Sequence, residues 1–446
     1  MNQSNRWLFF HMVTRYRISI SEKQAALIWQ QTLGAKLTST EGEQFNVVYP
    51  GRINGDNGPD FRDAVIVSES RLMKGDVEVH VRSNDWYSHK HHADAEYDNV
   101  ILHVVMWHDC NSATVLRTGR KVPVLCLAKA LRHQAYLLPC TLPCFPILDR
   151  MDTDTLKKML DTAAKQRFRR KAKRFQAELK EKRAGQVLFR GIMRALGYAK
   201  NTKPFVELAD RMPLTSIGPK EGLAAKQALL LGIAGLLPSQ RQQIESNKER
   251  EVQELEQIWH SMDSSVETMK ESDWNLSHIY PNNSPVRRII AQSYLLERYD
   301  RGRLLAGILR MVRDTPPSGG HRLLQHSLTV HSDGYWRDHF DFGVRSRTKI
   351  AALLGHSKAG EITVNVLLPF VFSWGELAGE VKLTYHAIDL YRSYPRLPEN
   401  CLTQHMKKQL GLEQSFDFTA CRQQGLIHVF RNYCREGRCS ECPLAR

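Results

Sequence analysis

The chain has 446 residues, enough for two or three domains with a substantial core, so neither a disulfide nor a metal is needed merely to fold it. Its 42% hydrophobic and 25% charged residues are an ordinary globular composition and exclude a disordered or fibrous chain. The 63 Lys and Arg against 47 Asp and Glu leave a formal charge of +16, which puts polyanions first among partners, although an anionic membrane surface or plain solubility fits the same sum.

Met1 to Val13 has a short apolar patch, Trp7 to Phe10, and no small-residue cleavage site, so a secretory signal is not expected. Residues 23–34 read as a helix ending at Gly34. Three short β-branched runs follow, Phe45 to Tyr49, Phe61 to Val67 and Asp76 to Arg82, separated by Gly, Pro, Asn and Ser. The polar His- and Asp-rich stretch 85–99 has room for a short helix. Val100 to Trp107 is a continuous apolar run, the pattern of a strand buried on both faces, and Val122 to Leu127 can add another strand. The expected order is α-β-β-β-α-β, an α/β unit over residues 1–135.

Most of the remainder reads as helix. Leu156, Leu160, Ala164, Phe168, Ala172, Phe175 and Leu179 recur every three or four residues, which predicts a long amphipathic helix from Thr153 to about Leu179. Residues 151–200 hold fifteen Lys and Arg against five Asp and Glu, so this window alone supplies +10. Its basic face is either a solvated surface or a phosphate-tracking arm, with Arg167, Arg170, Lys171 and Arg174 as the gripping residues. The Pro316-Pro317-Ser318-Gly319-Gly320 segment is the best linker candidate, dividing a basic helical domain, 136–315, from a C-terminal helical region, 321–446. The most apolar stretch, Val364 to Trp374, carries Asn365 and Pro369 and is shorter than the ~20 residues of a membrane span.

The segment with the clearest chemistry is Asn57-Gly58-Pro59-Asp60-Phe61, followed by Gly75-Asp76-Val77-Glu78-Val79-His80-Val81. Side chains alternate along a strand, so Asp76, Glu78 and His80 share one face while Val77, Val79 and Val81 face the core. Across a hairpin, Asp60 and Glu78 can converge as hard oxygen ligands for Mg²⁺ or Mn²⁺, with His80 beside them. Acidic residues on a half-exposed strand facing solvent are the plainer alternative.

This order, with Pro59-Asp60 and Glu78-x-His80 at this separation, resembles the restriction-endonuclease-like core of the PD-(D/E)XK nuclease superfamily, with His80 where that pattern has lysine. The resemblance implies a metal-dependent phosphodiesterase acting on DNA or RNA, DNA ahead of RNA, with Asp60, Glu78 and His80 as catalytic residues. The wider sequence is similar to an uncharacterised bacterial family, a domain of unknown function. Gly58-Pro59-Asp60-Phe61, the Gly75 to His80 run, Asp85-Trp86, His89, His91, Asp94, Tyr97 and Leu102-His103-Val104-Val105 carry that similarity. It extends through Gly197-Tyr198, Asn201, Asn365, Pro369 and Gln424-Gly425 to the terminal cysteines. No activity comes with it.

Six histidines, His80, His89, His91, His92, His103 and His108, fall within thirty-three residues together with Asp76, Asp85 and Asp94. They can form a separate Mn, Fe or Zn centre acting on a small substrate, or His89 and His91 can touch nucleic-acid phosphate while Asp94 and Tyr97 position substrate from one helix face. His103, inside an apolar run, reads as a hydrogen-bonded core residue. A nucleic-acid-binding module with a degenerate nuclease core is a further alternative, since neutral imidazole stabilises a phosphorane less well than lysine.

Nine cysteines, three of them in the last thirteen residues, suit a reducing cytoplasm and a metal site better than a disulfide framework. Cys434-x4-Cys439-x2-Cys442-Pro443 has spacing that lets thiolates converge on a [4Fe-4S] cluster or, alternatively, zinc. The tail is similar to the cluster loop of endonuclease-III-type glycosylases, but it ends before a fourth ligand. Cys421 is placed badly if Phe418 to Tyr433 is helix, about 20 Å from Cys434. Cys144 or Cys140 is the better fourth ligand, stapling the chain's end to the first domain as iron-staple nucleases do. Cys110, Cys126 and Cys401 read as free thiols.

Overall fold

The computed structural model describes residues 20–68, 71–110, 112–133, 144, 151–198, 200–217, 222–241, 249–262, 266–277, 279–299, 304–412 and 416–445. The patch Trp7 to Phe10 and Cys140 lie outside them. The chain forms two compact units rather than the three consecutive segments expected. The first comprises 1–163, 399–416 and 425–446, and the second comprises 164–398 and 417–424.

In the first unit, helix α1 (Glu22–Gln30) begins at a capping box, in which Ser21 accepts from the Gln24 backbone and Gln24 reaches back to Ser21. It stops at Gln30, earlier than the periodicity predicts, and a turn carries the chain to Gly34 at φ 71°. A mixed sheet follows: β1 (Lys36–Thr38), β2 (Gln44–Tyr49), β3 (Arg52–Ile53), β4 (Phe61–Ser68), β5 (Arg71–Arg82), β6 (Val100–Trp107) and β9 (Val124–Cys126). Its order is β1-β2-β4-β5-β6-β9, with β3 paired to β4. Pairings from β1 to β5 are antiparallel, whereas β5-β6 and β6-β9 are parallel. A small hairpin, β7 (Thr114–Val115) with β8 (Lys121–Val122), stands off this sheet.

One face of β5 places Val77 and Val79 in a core with Trp29, Phe61, Leu102 and Val104. The other face is buried too: Asp76, Glu78 and His80 are each at most 5% exposed, beneath a smaller cluster of Trp86, Tyr97, Val100, Leu116 and Val122. The doubly buried strand expected at Val100 to Trp107 is present. The short helix expected within 85–99 is present as Asp85–Ser88. Single 3₁₀ turns, His91–Ala93 and Ala95–Tyr97, follow it, with Lys90 at φ 62° between helix and first turn. The Asp94 side chain accepts from the Glu96 N–H, a local bond that competes with helix, and the stretch lacks an apolar stripe.

The second unit is mostly helical. Helix α2 (Leu127–His133) closes the sheet region, and α3 (Thr153–Glu181) starts in the first unit and enters the second after Ala163. The predicted stripe is buried from Leu156 to Phe175, with Leu179 half-buried. From Ala164 onward it joins a core with Val187, Leu230, Ile289, Phe370 and Leu390. Two small ribbons interrupt the helices, Val330–His331 with Ala352–Leu354 and His339–Asp341 with Val344–Arg345. The expected linker, Pro316 to Gly320, is a tight connection inside this unit between helices Leu304–Asp314 and His321–Leu328. The apolar stretch from Val364 is a buried helical segment, and no helix among the described residues is long and apolar enough to cross a membrane.

Candidate metal centre

Two strands and one turn region build the site. Gly58 adopts φ 95°, and the Arg62 guanidinium lies where a Cβ would be, 2.5 Å away. Only glycine follows that turn without strain, which explains the residue before Pro59-Asp60. The β4-β5 register shifts between Phe61 and Ala64, with Asp63 at φ 61°. Asp76 closes this bulge: it accepts from the Asp63 N–H at 3.1 Å and from Arg62 Nη1 at 2.8 Å. Asp76 therefore shares the face of Glu78 but serves to hold Arg62 and the bulge.

Asp60 and Glu78 meet as expected. The Asp60 N–H donates to Glu78 Oε2 at 3.0 Å, and the Val79 N–H donates to Asp60 Oδ2 at 3.0 Å. Glu78 Oε1 lies 3.4 Å from His80 Nε2 and 3.3 Å from His91 Nε2. His89 Nδ1 is 3.2 Å from His80 Nε2. Donor atoms of His80, His89 and His91 all lie within 4.8 Å of one another. The imidazoles and carboxylates thus form one cluster, not a metal site plus a separate histidine loop. His89 and His91, expected against phosphate, turn toward Glu78 and His80.

His103, Thr114, Glu22 and Arg62 join the site although their local sequence does not mark them. His103 shares a 2.9 Å bond from Nε2 to His80 Nδ1, and its own Nδ1 pairs with Thr114 Oγ1 at 2.9 Å. When His80 Nε2 offers its lone pair, His80 Nδ1–H donates to His103 and His103 Nδ1–H donates to Thr114, so every ring nitrogen is satisfied. The core histidine is therefore also an orienting group. Glu22, at the start of α1, acts electrostatically on Asp60, Glu78 and His91. Its only sequence signal was the capping box. Arg62 bridges Asp76 and Glu96, at 2.8 and 3.2 Å, and lowers the Glu78 pKa. Tyr97 stacks on His91 with ring centroids 3.9 Å apart.

Burial dominates the electrostatics. It raises Asp60 to about 7, aided by the Glu78 charge, and Glu78 to about 8, aided by Glu22. It lowers His80 to about 2, aided by His103, His91 and His89, and His103 to about 3. Carboxylates pushed up and imidazoles held neutral are what a desolvated ligand set does without a cation among its donors. His80 cannot carry the positive charge that lysine supplies at its position in the resembled pattern.

The residues of the basic helix have mixed surroundings. Arg167 Nε donates to Gln424 Oε1 at 2.8 Å; Lys171 Nζ donates to the same oxygen at 3.1 Å and to Asn365. Arg174 lies 3.9 Å from Glu178, and Arg170 is exposed. Cys144, Cys434, Cys439 and Cys442 all lie in the first unit, whereas Cys421 is in the core of the second.

A family model described as "Protein of unknown function (DUF2851)" matches residues 22–400. No curated protein and no solved structure matches the chain.

Proposed function

The chain belongs to the DUF2851 family, whose label assigns no chemistry, and on the geometry of the site we propose that it is a metal-dependent phosphodiesterase acting on nucleic acid. The observation that carries this is the convergence of His80, His89 and His91 donor atoms within 4.8 Å of one another, with Glu78 3.4 Å from His80 and 3.3 Å from His91 and Asp60 bonded to Glu78. Buried charges of one sign persist where a counter-charge joins them, and a divalent cation is the counter-charge these donors fit.

The donor types refine the metal. Mg²⁺ takes an oxygen shell and keeps several waters, whereas mixed imidazole and carboxylate sets suit Mn²⁺, Fe²⁺ or Zn²⁺. Of the ions expected from the two carboxylates, Mn²⁺ fits and Mg²⁺ fits less well. Such an ion supplies positive charge to a phosphate oxygen and acidifies water. Asp60 and Glu78 hold the ion, His80 and His91 complete its shell, and His89 lies at the exposed mouth. His103 and Thr114 fix the His80 ring. The nuclease resemblance supports a phosphodiester substrate, as do the net charge of +16 and the +10 in residues 151–200. In this reading His80 is a ligand rather than a substitute for lysine.

The second reading is a metalloenzyme acting on a small substrate, favoured by the three imidazoles. Purified protein incubated with single- and double-stranded DNA and RNA, with Mn²⁺, Zn²⁺ or Mg²⁺, separates the two. Cleavage that requires the ion and disappears in Glu78→Ala is the expected result. Salt-insensitive retention of nucleic acid, or cleavage that survives Glu78→Ala, would overturn the proposal.

A further inference from the structure

The terminal cysteines lie in one tight loop. A π-helical turn, Phe430–Cys434, ends on the first of them. The chain then folds back, the Gly437 N–H donating to Cys434 O at 3.1 Å and the Arg438 N–H to Tyr433 O at 2.9 Å. Cys439 and Cys442 flank a single 3₁₀ turn, closed by the Cys442 N–H on Cys439 O at 3.0 Å. This loop is seated against the sheet of its own unit. Gly437, at φ 67°, abuts Val65 and Val48; Glu436 pairs with Lys74; and Arg435 Nε lies 3.0 Å from Asp63 Oδ1.

Cys144 approaches the same loop from a distant part of the chain. It is buried, and Cys442 and Cys439 act on it electrostatically; Cys144, Cys439 and Cys442 all act on Cys434. All four are free thiols. We infer that Cys144, Cys434, Cys439 and Cys442 together ligate a thiophilic metal centre, a second site distinct from the histidine and carboxylate cluster.

The chemistry of the group supports this assignment. Cys144 and Cys442 are buried and Cys434 and Cys439 half-buried, and no disulfide joins any of them. Four thiols gathered in a desolvated place, without a base to deprotonate them or a disulfide to join them, gain a counter-charge when a metal enters. Binding forms four metal–sulfur bonds and releases the thiol protons to solvent, with no electron transferred. Four thiolates can hold a tetrahedral zinc ion or a [4Fe-4S] cluster, and since no three of these sulfurs lie within 4.8 Å of one another, the wider ligand spacing of the cluster fits them better. The centre would fasten the terminal loop to β4, the strand that Asp60 precedes. The inference stands independently of the phosphodiesterase reading.

The test is metal and sulfide analysis of the full chain, purified anaerobically, in a Glu78→Gln background so that the other site contributes least. Iron with acid-labile sulfide and broad visible absorption identifies a cluster, and stoichiometric zinc without colour identifies a zinc site; either supports the inference. Cys439→Ser and Cys144→Ser should each reduce the bound metal to below about one-tenth. Where a variant does not fold, thiol accessibility of the parent chain decides: four thiols should become reactive only when a strong chelator or a mercurial removes the metal. Neither metal in the parent chain, or metal content unchanged in a folded Cys144→Ser variant, overturns it.

Discussion

Asp60 and Glu78 latch each other's strands: the Asp60 N–H donates to Glu78 at 3.0 Å, while the Asp60 carboxylate accepts from Val79, the residue after Glu78. Each carboxylate thus spends one oxygen on positioning its partner, and Glu78 keeps the other toward His80 and His91. That division pre-forms the site but leaves buried acids raised to about 7 and about 8.

Glu78→Gln keeps an oxygen for the Asp60 N–H and removes the charge. Mn²⁺ or Zn²⁺ affinity, measured by calorimetry, should fall by about 100-fold or more, beyond the 10- to 100-fold typical of outer-sphere changes. The chelator-treated variant should be more stable than the parent at pH 8, by about 1–3 kcal/mol, because a desolvated charge is gone. A variant less stable than the parent at that pH would contradict the electrostatic account.

Stability of the chelator-treated protein should be flat between about pH 4.5 and 6.5 and fall on either side. Asp60 and Glu78 have folded pKa values raised above their ordinary ones, so the folded state binds more protons and stability falls as pH rises toward 8. His80 and His103 are lowered, so between about 4.5 and 6.5 the protons they take up in the unfolded state balance those the folded carboxylates keep, and only below about 4, where the unfolded carboxylates protonate too, does stability fall as pH drops. Each group contributes a slope of up to about 1.4 kcal/mol per pH unit within its window. Urea titrations at a series of pH values read this directly. Saturating metal should remove the alkaline limb, because it displaces the carboxylate protons.

His103→Ala frees His80 Nδ1 from its partner and opens a cavity. Metal affinity should drop roughly 10- to 100-fold as the His80 ring loses its orientation. Thr114→Val, which removes only the end of the relay, should have a smaller effect in the same direction. Equal stability losses in both variants with unchanged metal affinity would assign His103 a packing role alone.

Gly75→Ala tests the frame beneath the site. A Cβ there would lie 2.4 Å from Ile101 Cγ2 and 2.5 Å from the Asn99 carbonyl, at the start of the parallel β5-β6 pairing. The backbone oxygen cannot move aside cheaply, so the substitution should destabilise by about 1–3 kcal/mol in denaturant titrations and weaken metal binding with it.

Strand alternation places Glu78 and His80 on one face of β5, and the apolar run at Val100 to Trp107 marks a strand buried on both sides. Both follow from local periodicity, so the sequence by itself determined them, together with the long α3 stripe and the glycine turn before Asp60. Local pattern says nothing of what approaches from elsewhere. The stretch 85–99 carries too few apolar residues to extend its helix beyond Asp85–Ser88, and only the tertiary path of the turns that follow brings His89 and His91 onto the Glu78 and His80 pair. Parallel pairing of β5 with β6 sets His103 beside Glu78, where it reaches His80 and turns a core residue into an orienting one. The first unit also draws on segments separated by more than two hundred residues, which is why Cys144 and the terminal cysteines share one environment that no sequence window contains. Side-chain chemistry is written residue by residue, but convergence depends on which strands pair and which segments return, and that is decided by packing.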